Sequence, residues 1–310
     1  MIEVEHLTKE FVVRRGRLRR ERHVVEAVRD ISFHVERGEL LGYLGPNGAG
    51  KSTTIKMLTG ILVPSGGRVT VAGLDPSKRR VELAKRIGAM FGQRVQLWWD
   101  LPLIDSFELL RHIYRVPADR YRTSLQRFRT VLDLDPFLHT PVRQLSLGQR
   151  IRGELTAAML HEPELLFLDE PTIGLDVVAK QRVREFLVQV NREEGVKVLL
   201  TTHDLGDIER LCERLLVIDH GRLIWDGAIT DLKERYGAER TLVVDLEEPA
   251  PPLEVEGARV ERVEGPRQWL RFRGSAADLT ARVAQSARLV DLQVAEPDIE
   301  EIVRRIYSGT

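Results

Sequence analysis

Cysteine is almost missing from this chain of 310 residues: Cys212 stands alone, so no disulfide can close within the chain and no cysteine cluster can hold a metal. Its simplest role is that of a buried helix residue. Long apolar runs are missing too. No stretch approaches the roughly 20 apolar residues needed to cross a bilayer, and the start MIEVEHLTKEF has neither the charged nor the apolar region of a signal peptide. These absences predict a cytoplasmic chain, and any membrane process it serves must take its spanning segments from another polypeptide. Excess charge is absent as well. The 47 Lys and Arg balance 47 Asp and Glu, which removes the main mark of a general nucleic-acid binder. No internal repeat is visible. What is present, 43% hydrophobic and 30% charged residues, is the composition of a globular protein, long enough for one large domain and a smaller one.

Along the chain, MIEVEHLTKEFVV and HVVEAVRDISFHVERGE read as strands with apolar alternation, separated by a basic stretch from Arg14 to His23. LLGYLG predicts a buried strand running into a glycine loop, with a helix behind it and a turn at PSGG. From about 97 to 160 the apolar spacing becomes helical; Ile151, Leu155, Ala158 and Met159 share one face. Strand and helix then alternate again, and runs such as LLFL and VLLTT suit strands buried on both faces of a parallel sheet. The pattern predicts an α/β core carrying a helical insertion. Residues 228–310 read as a separate α+β unit whose last helix has Ile299, Ile302, Val303 and Ile306 on one face.

Chemistry concentrates in a few motifs. Gly45, Gly50, Lys51 and Ser52 satisfy the phosphate-loop pattern, in which glycines let backbone N–H groups close around phosphate oxygens, a lysine reaches the outer phosphates and a hydroxyl meets Mg²⁺. LLFLDE ends an apolar strand in Asp169, suited to Mg²⁺, and Glu170, suited to orient or deprotonate water. His203 follows another apolar strand, where it is either a ligand residue or an ordinary loop residue. No N-K-x-D sequence is present to read guanine, and Phe11 can stack on adenine or serve as a core residue. A second anion-friendly place is predicted in RQLSLGQRIRGEL. Ser146 and Gln149 have capping-box spacing, and the N–H groups of Leu147, Gly148 and Gln149 are expected to face outward.

In this order and spacing, GPNGAGKST, Gln93 in MFGQ, LSLGQR, LLFLDE, PTIGLD and TTHD resemble the ATP-binding-cassette ATPases over roughly residues 1–227. The resemblance implies a P-loop NTPase with a RecA-like core, an antiparallel β subdomain and a helical subdomain at about 97–160, followed by a small accessory α+β domain at 228–310. It implies ATP and Mg²⁺ as ligands and an ATPase subunit that pairs with itself or a homologue. Separate membrane permease subunits would hold it to the inner face of the cell membrane. The stretch FGQRVQLWWDLPLIDSFELL resembles the drug and viologen exporter branch. A soluble cassette ATPase acting on ribosomes or nucleic acid is the rival; such proteins usually carry two cassettes or a long coiled coil, and this chain shows neither.

Carried over by position, the family's roles fall on Phe11 for adenine and on the loop Gly45, Pro46, Asn47, Gly48, Ala49, Gly50, Lys51, Ser52 and Thr53 for the phosphates. Ser52, Gln93 and Asp169 would hold Mg²⁺, with Glu170, Gln93 and His203 catalytic. Asp176 would belong to the loop that links two sites. Ser146, Leu147, Gly148 and Gln149 would close over the nucleotide of the partner subunit. The chain departs from the family at Leu147, where a glycine is usual, and at Gly92, an extra glycine that leaves Gln96 as a lesser candidate for the functional glutamine. Trp98 and Trp99 suit either a permease contact or burial, and the arginines between Arg14 and Arg22 either a solvated loop or contact with anionic lipid. The C-terminal unit could regulate, dimerise or bind substrate.

Overall fold

In the computed structural model, described for residues 1–15, 21–36, 38–92, 95–202, 204–236, 239–295 and 299–308, the chain divides into two compact units, Met1–Gly227 and Ala228–Thr310. Residues 16–20 of the Arg-rich stretch lie outside the described residues. The first unit opens with β1 (Ile2–Arg15), β2 (Glu21–Val35), β3 (Leu40–Leu44), α1 (Lys51–Leu58), β4 (Gly66–Val71), α2 (Arg80–Ala84) and β5 (Ile87–Phe91). A helical block follows: α3 (Leu103–Tyr114), α4 (Ala118–Val131) and α5 (Leu147–Met159). Then come β6 (Leu165–Asp169), α6 (Val177–Glu194), β7 (Lys197–Thr201), α7 (Leu205–Leu211), β8 (Arg214–Asp219) and β9 (Arg222–Ala228).

Two sheets result. β1, β2 and β4 form an antiparallel sheet in the order β2-β1-β4. Its period-two pattern buries Ile2, Val4, Ile31, Phe33, Val69 and Val71 in one core. The second sheet has the order β5-β6-β7-β3-β8-β9, with the contacts among β5, β6, β7, β3 and β8 parallel. Every residue of β3 and β7 is buried, the ends Lys197 and Thr201 of β7 included, and Leu41, Tyr43 and Leu199 share one core with the antiparallel sheet and α1. Each fully buried Leu or Val there contributes roughly 1.5–3 kcal/mol of transfer free energy. The α/β core with a helical insertion therefore forms as expected.

Helix α5 differs from its expected single apolar stripe. Ile151, Leu155, Ala158 and Met159 are buried, but so are Gly153, Glu154, Thr156 and Ala157, because β5 packs at Ala158 while the start of α3 packs at Gly153. Close approach explains two small residues: a Cβ on Gly153 would come within 2.8 Å of Leu103, and one on Gly88 of β5 would run into the carbonyl of Ala158. Phe128 of α4 meets Phe186 of α6 edge to face, with ring centroids 5.9 Å apart. Cys212 is buried, but it caps the end of α7 in an extended conformation rather than lying inside the helix.

The second unit contains α8 (Ile229–Tyr236), β10 (Arg240–Leu246), β11 (Ala258–Glu264), β12 (Arg267–Phe272), α9 (Ala276–Ser286), β13 (Leu289–Ala295) and α10 (Ile299–Ser308). Its strands form an antiparallel sheet in the order β11-β12-β10-β13, and α9 lays Leu279 and Val283 on Leu242, Val244, Leu270 and Phe272. The face read on α10 is the buried one: Ile299, Ile302, Val303 and Ile306 are each under a tenth exposed, and α10 packs with α8.

Candidate functional site

The carboxyl ends of the central strands lie side by side. β3 runs into the glycine loop, and the register pairs Phe91 with Asp169 and Asp169 with Thr201. Ligands of open α/β sheets bind at such ends. A cavity of about 760 Å³ opens there, bringing Lys51 and Ser52 of α1 together with Asp169 and Glu170 after β6. Pro46, Asn47, Gly48, Gly50 and Thr53 line it too, whereas Ala49 is buried beneath the loop.

The loop depends on glycine at particular atoms. Gly50 has a φ of 109°, and a Cβ there would lie 2.5 Å from the carbonyl oxygen of Ala27. Because this N-cap residue has no side chain, α1 starts without a side-chain cap and leaves its first N–H groups to an outside acceptor. Lys51 is 7% exposed and donates to the carbonyls of Pro46, at 3.1 Å, and Gly45. Burial holds its ammonium below the usual lysine range, partly opposed by the nearby Glu170 and Asp169 carboxylates.

Asp169 is oriented by two hydroxyls: Thr201 Oγ1 donates to its Oδ1, and Ser52 Oγ lies 3.5 Å from its Oδ2. Glu170 sits in the left-handed region at φ 60°, with its N–H bonded to the Thr201 carbonyl at 2.9 Å. For a residue other than glycine this backbone costs on the order of 1–3 kcal/mol and is typical of places where the surroundings aim a side chain. Gly92 has a steric purpose, since a Cβ there would lie 2.9 Å from the Asp169 carbonyl and 3.3 Å from Glu170 Cβ.

Gln93 and His203 lie outside the described residues; their neighbours Gly92 and Thr202 stand at the ends of β5 and β7. Gln96 faces elsewhere: its side-chain amide donates to the Ala89 carbonyl in β5, and its backbone N–H goes to Glu154 at 2.9 Å. Phe11 stands on β1, 36% exposed, with Lys9 Nζ 5.2 Å from its ring centre, and is not among the residues that line the cavity. Asp176 caps α6, accepting the N–H of Ala179 at 2.8 Å. Trp98 and Trp99 are 38% and 49% exposed, and the Arg150 guanidinium lies 5.9 Å from the Trp99 ring.

The start of α5 is built as the spacing predicted, with one correction. Ser146 Oγ accepts the N–H of Gln149 at 3.2 Å, and Gln149 Oε1 accepts the N–H of Ser146 at 2.8 Å. The Gln149 N–H is thus spent inside the capping box and does not face outward. Leu147, where the family has glycine, lies over Gly174: a Cβ on Gly174 would meet its Cδ2 at 2.6 Å. Gly148 faces Leu175 and Ala179, so the start of α5 rests on the loop that leads to Asp176.

Sequence reasoning missed Glu154. It is 5% exposed inside α5, and its carboxylate accepts the N–H groups of Gln96, at 2.9 Å, and Leu97, at 3.5 Å. Burial raises its pKa to about 7, against the lowering effect of those N–H groups and of Arg150. Its position, three residues after Ile151 and four before Ala158, was the available signal: a carboxylate on a buried face needs donors. A smaller cavity of about 240 Å³ adjoins this place, lined by Trp99, Leu147, Arg150 and Glu154, and shares Glu170 with the first site.

A parallel sheet with a glycine loop after one strand and a carboxylate pair after another defines a P-loop nucleoside triphosphatase. A family model described as "ABC transporter" matches residues 28–173. The chain is 31% identical over 223 residues to the ABC transporter ATP-binding protein NatA of Bacillus subtilis, covering 72% of this chain and 90% of that protein. It is 31% identical over 294 residues to the linearmycin resistance ATP-binding protein LnrL of the same organism, covering 91% of this chain and 94% of LnrL. Among solved structures, the dimeric bacterial ABC transporter cassette MJ0796 superposes with a TM-score of 0.65 at 25% identity, covering 74% of this chain and 99% of that one. The chain belongs to the ATP-binding subunits of ABC transporters, and its reaction is ATP hydrolysis.

Proposed function

We propose that the chain is the motor of an exporter, hydrolysing ATP at composite sites shared by two cassettes and passing the resulting motion to separate membrane subunits. Its place would be the inner face of the cell membrane, and the linearmycin resistance named for LnrL supports drug-like cargo. Residues 1–227 form the nucleotide-binding domain, with its helical subdomain at about 97–160, and residues 228–310 an accessory domain. One observation carries the composite reading. Among the described residues, the cavity that gathers Lys51, Ser52, Asp169 and Glu170 takes no lining residue from α5. The capped start of α5 is therefore left for the nucleotide of a second cassette.

In this reading the open N–H groups of α1 and the Lys51 ammonium bind the β and γ phosphates, and Phe11 stacks on adenine. Hard oxygen donors fit Mg²⁺: the Ser52 hydroxyl and the Asp169 carboxylate face one cavity 3.5 Å apart, and Gln93, next in sequence to the lining residue Gly92, would join them. Such an ion would neutralise charge on the phosphates. Glu170 takes the proton of the attacking water, and His203 contacts the γ-phosphate. From the partner, Ser146, Leu147, Gly148 and Gln149 close over the phosphates, while Asp176 lies between the two sites. Because the γ-phosphate would touch both cassettes, ATP favours the closed pair and hydrolysis releases it.

Glu170→Gln tests this. The variant should lose ATP turnover by at least about 100-fold while still binding ATP, and should accumulate as an ATP-dependent dimer in sedimentation. Normal turnover would remove Glu170 from its role.

A further inference from the structure

β13 closes one side of the C-terminal sheet. It pairs with β10, and among the described residues no strand lies on its other side. Val290, Asp291, Leu292, Gln293 and Val294 are all exposed, with Leu292 at 41% and Val294 at 38%. An uncovered edge of this kind is a template for another strand, and proteins usually blunt it with lysine, proline or dense charge. The opposite edge, β11, is treated that way, carrying Arg259, Glu261, Arg262 and Glu264. β13 has a single charged residue, Asp291, and no basic residue or proline.

The direction of the backbone can be read from one bond. The N–H of Leu292 is taken by the carboxylate of its neighbour Asp291, at 2.8 Å, and not by the ladder to β10. In an antiparallel strand the backbone groups of alternate residues point to opposite sides, so those of Leu292 and Val294 face the open edge. The register with β10 runs without a break from Asp291 to Ala295, the irregularity falling before Asp291.

We propose that this edge pairs with the same edge of a second copy of the chain, antiparallel and centred on Gln293. The sequence is self-complementary in that register. Leu292 of one copy faces Val294 of the other, twice, on the face that already bears Leu242 and Val244. On the opposite face the two Gln293 amides meet and can bond to each other, and Asp291 faces Ala295, so no like charges are opposed. The open N–H and C=O groups of Leu292 and Val294 bond reciprocally across the axis, and the Leu292 N–H exchanges its local carboxylate for a carbonyl. A contact this short is weak, and a thiol cross-link captures it even when each encounter is brief. The contact needs no nucleotide, which separates it from the composite ATP site.

Single-cysteine scanning of the full chain without ATP tests the register, with the parental chain, whose one thiol is the buried Cys212, as the blank. At a non-hydrogen-bonded central pair the two Cα atoms lie about 4.5 Å apart, within disulfide reach. Gln293→Cys should therefore cross-link to itself under mild oxidation at least about tenfold faster than Leu292→Cys or Val294→Cys, whose self-pairs lie on a diagonal about 7–8 Å long. The double variant Leu292→Cys, Val294→Cys should cross-link again, and adding Val294→Lys to Gln293→Cys should slow the reaction. These positions are exposed, and circular dichroism checks that each variant folds. Equal rates at all three positions, no cross-linking at Gln293→Cys, or cross-linking only with ATP would each overturn the proposal. An ATP-dependent dimer of Glu170→Gln with no cross-link at Gln293→Cys would defeat the edge contact and leave the composite ATP site standing.

Discussion

Helices α1 and α5 both begin where an anion could bind, yet they begin in opposite ways. α1 follows a glycine in the left-handed region that offers no side-chain acceptor, so the free donors of its first turn face the cavity. α5 follows a serine and closes a capping box, spending two N–H groups on its own side chains. The first helix start is left incomplete for a ligand. The second is rigid before any ligand arrives, and it is braced further by Leu147 against Gly174. An uncapped start buys affinity for phosphate at some cost in helix stability, whereas a capped start holds its shape and can serve as a fixed surface that closes on something else.

The sharpest way to break this comparison is to remove the charge at the open end. Lys51→Ala should weaken ATP binding and cut hydrolysis by at least about 100-fold, read as phosphate release and nucleotide titration; near-normal turnover would mean the loop does not bind the outer phosphates. At the capped end, Ser146→Arg should leave ATP binding by a single chain intact and abolish only the turnover that depends on pairing. If the rate is unchanged, α5 closes on no second site.

A smaller effect probes what holds α5 in place. Glu154 keeps its proton up to about pH 7 in the folded chain, whereas an unfolded glutamate loses it near the ordinary value of 4.5. The folded state then binds the extra proton between those values, so this residue makes stability fall as pH rises from about 4.5 to 7. Glu154→Gln should remove that fall, worth up to about 3 kcal/mol, and the difference in urea midpoint between variant and parent should widen over that window. Parallel pH profiles would show that the carboxylate is already ionised in the fold.

Much of the site was legible before folding because its logic is local. Gly50, Lys51 and Ser52 sit next to one another, the Ser146 and Gln149 box spans one helical turn, and Asp169 and Glu170 end a run of leucines; short-range stereochemistry sets what each can do. The steric purpose of Gly92 was not legible, since it arises from Asp169, which lies far along the chain. The short elements β4, β5, β9, α2 and α8 also gave no clear periodicity, because a few residues cannot display a repeat.

By itself, the sequence determined that a phosphate loop, an acidic strand end and a capped helix start exist, each from neighbours a few residues apart. Tertiary structure decided which of them meet. The order β5-β6-β7-β3-β8-β9 brings Phe91, Asp169 and Thr201 level and sets them beside the loop after β3. It also buried Glu154 against the N–H groups of Gln96 and Leu97, seated Leu147 on Gly174 and left β13 at an open edge. The reason is physical: burial, dielectric and steric contact belong to a place in the fold, and residues far apart in sequence acquire that place only when the sheets and helices have packed.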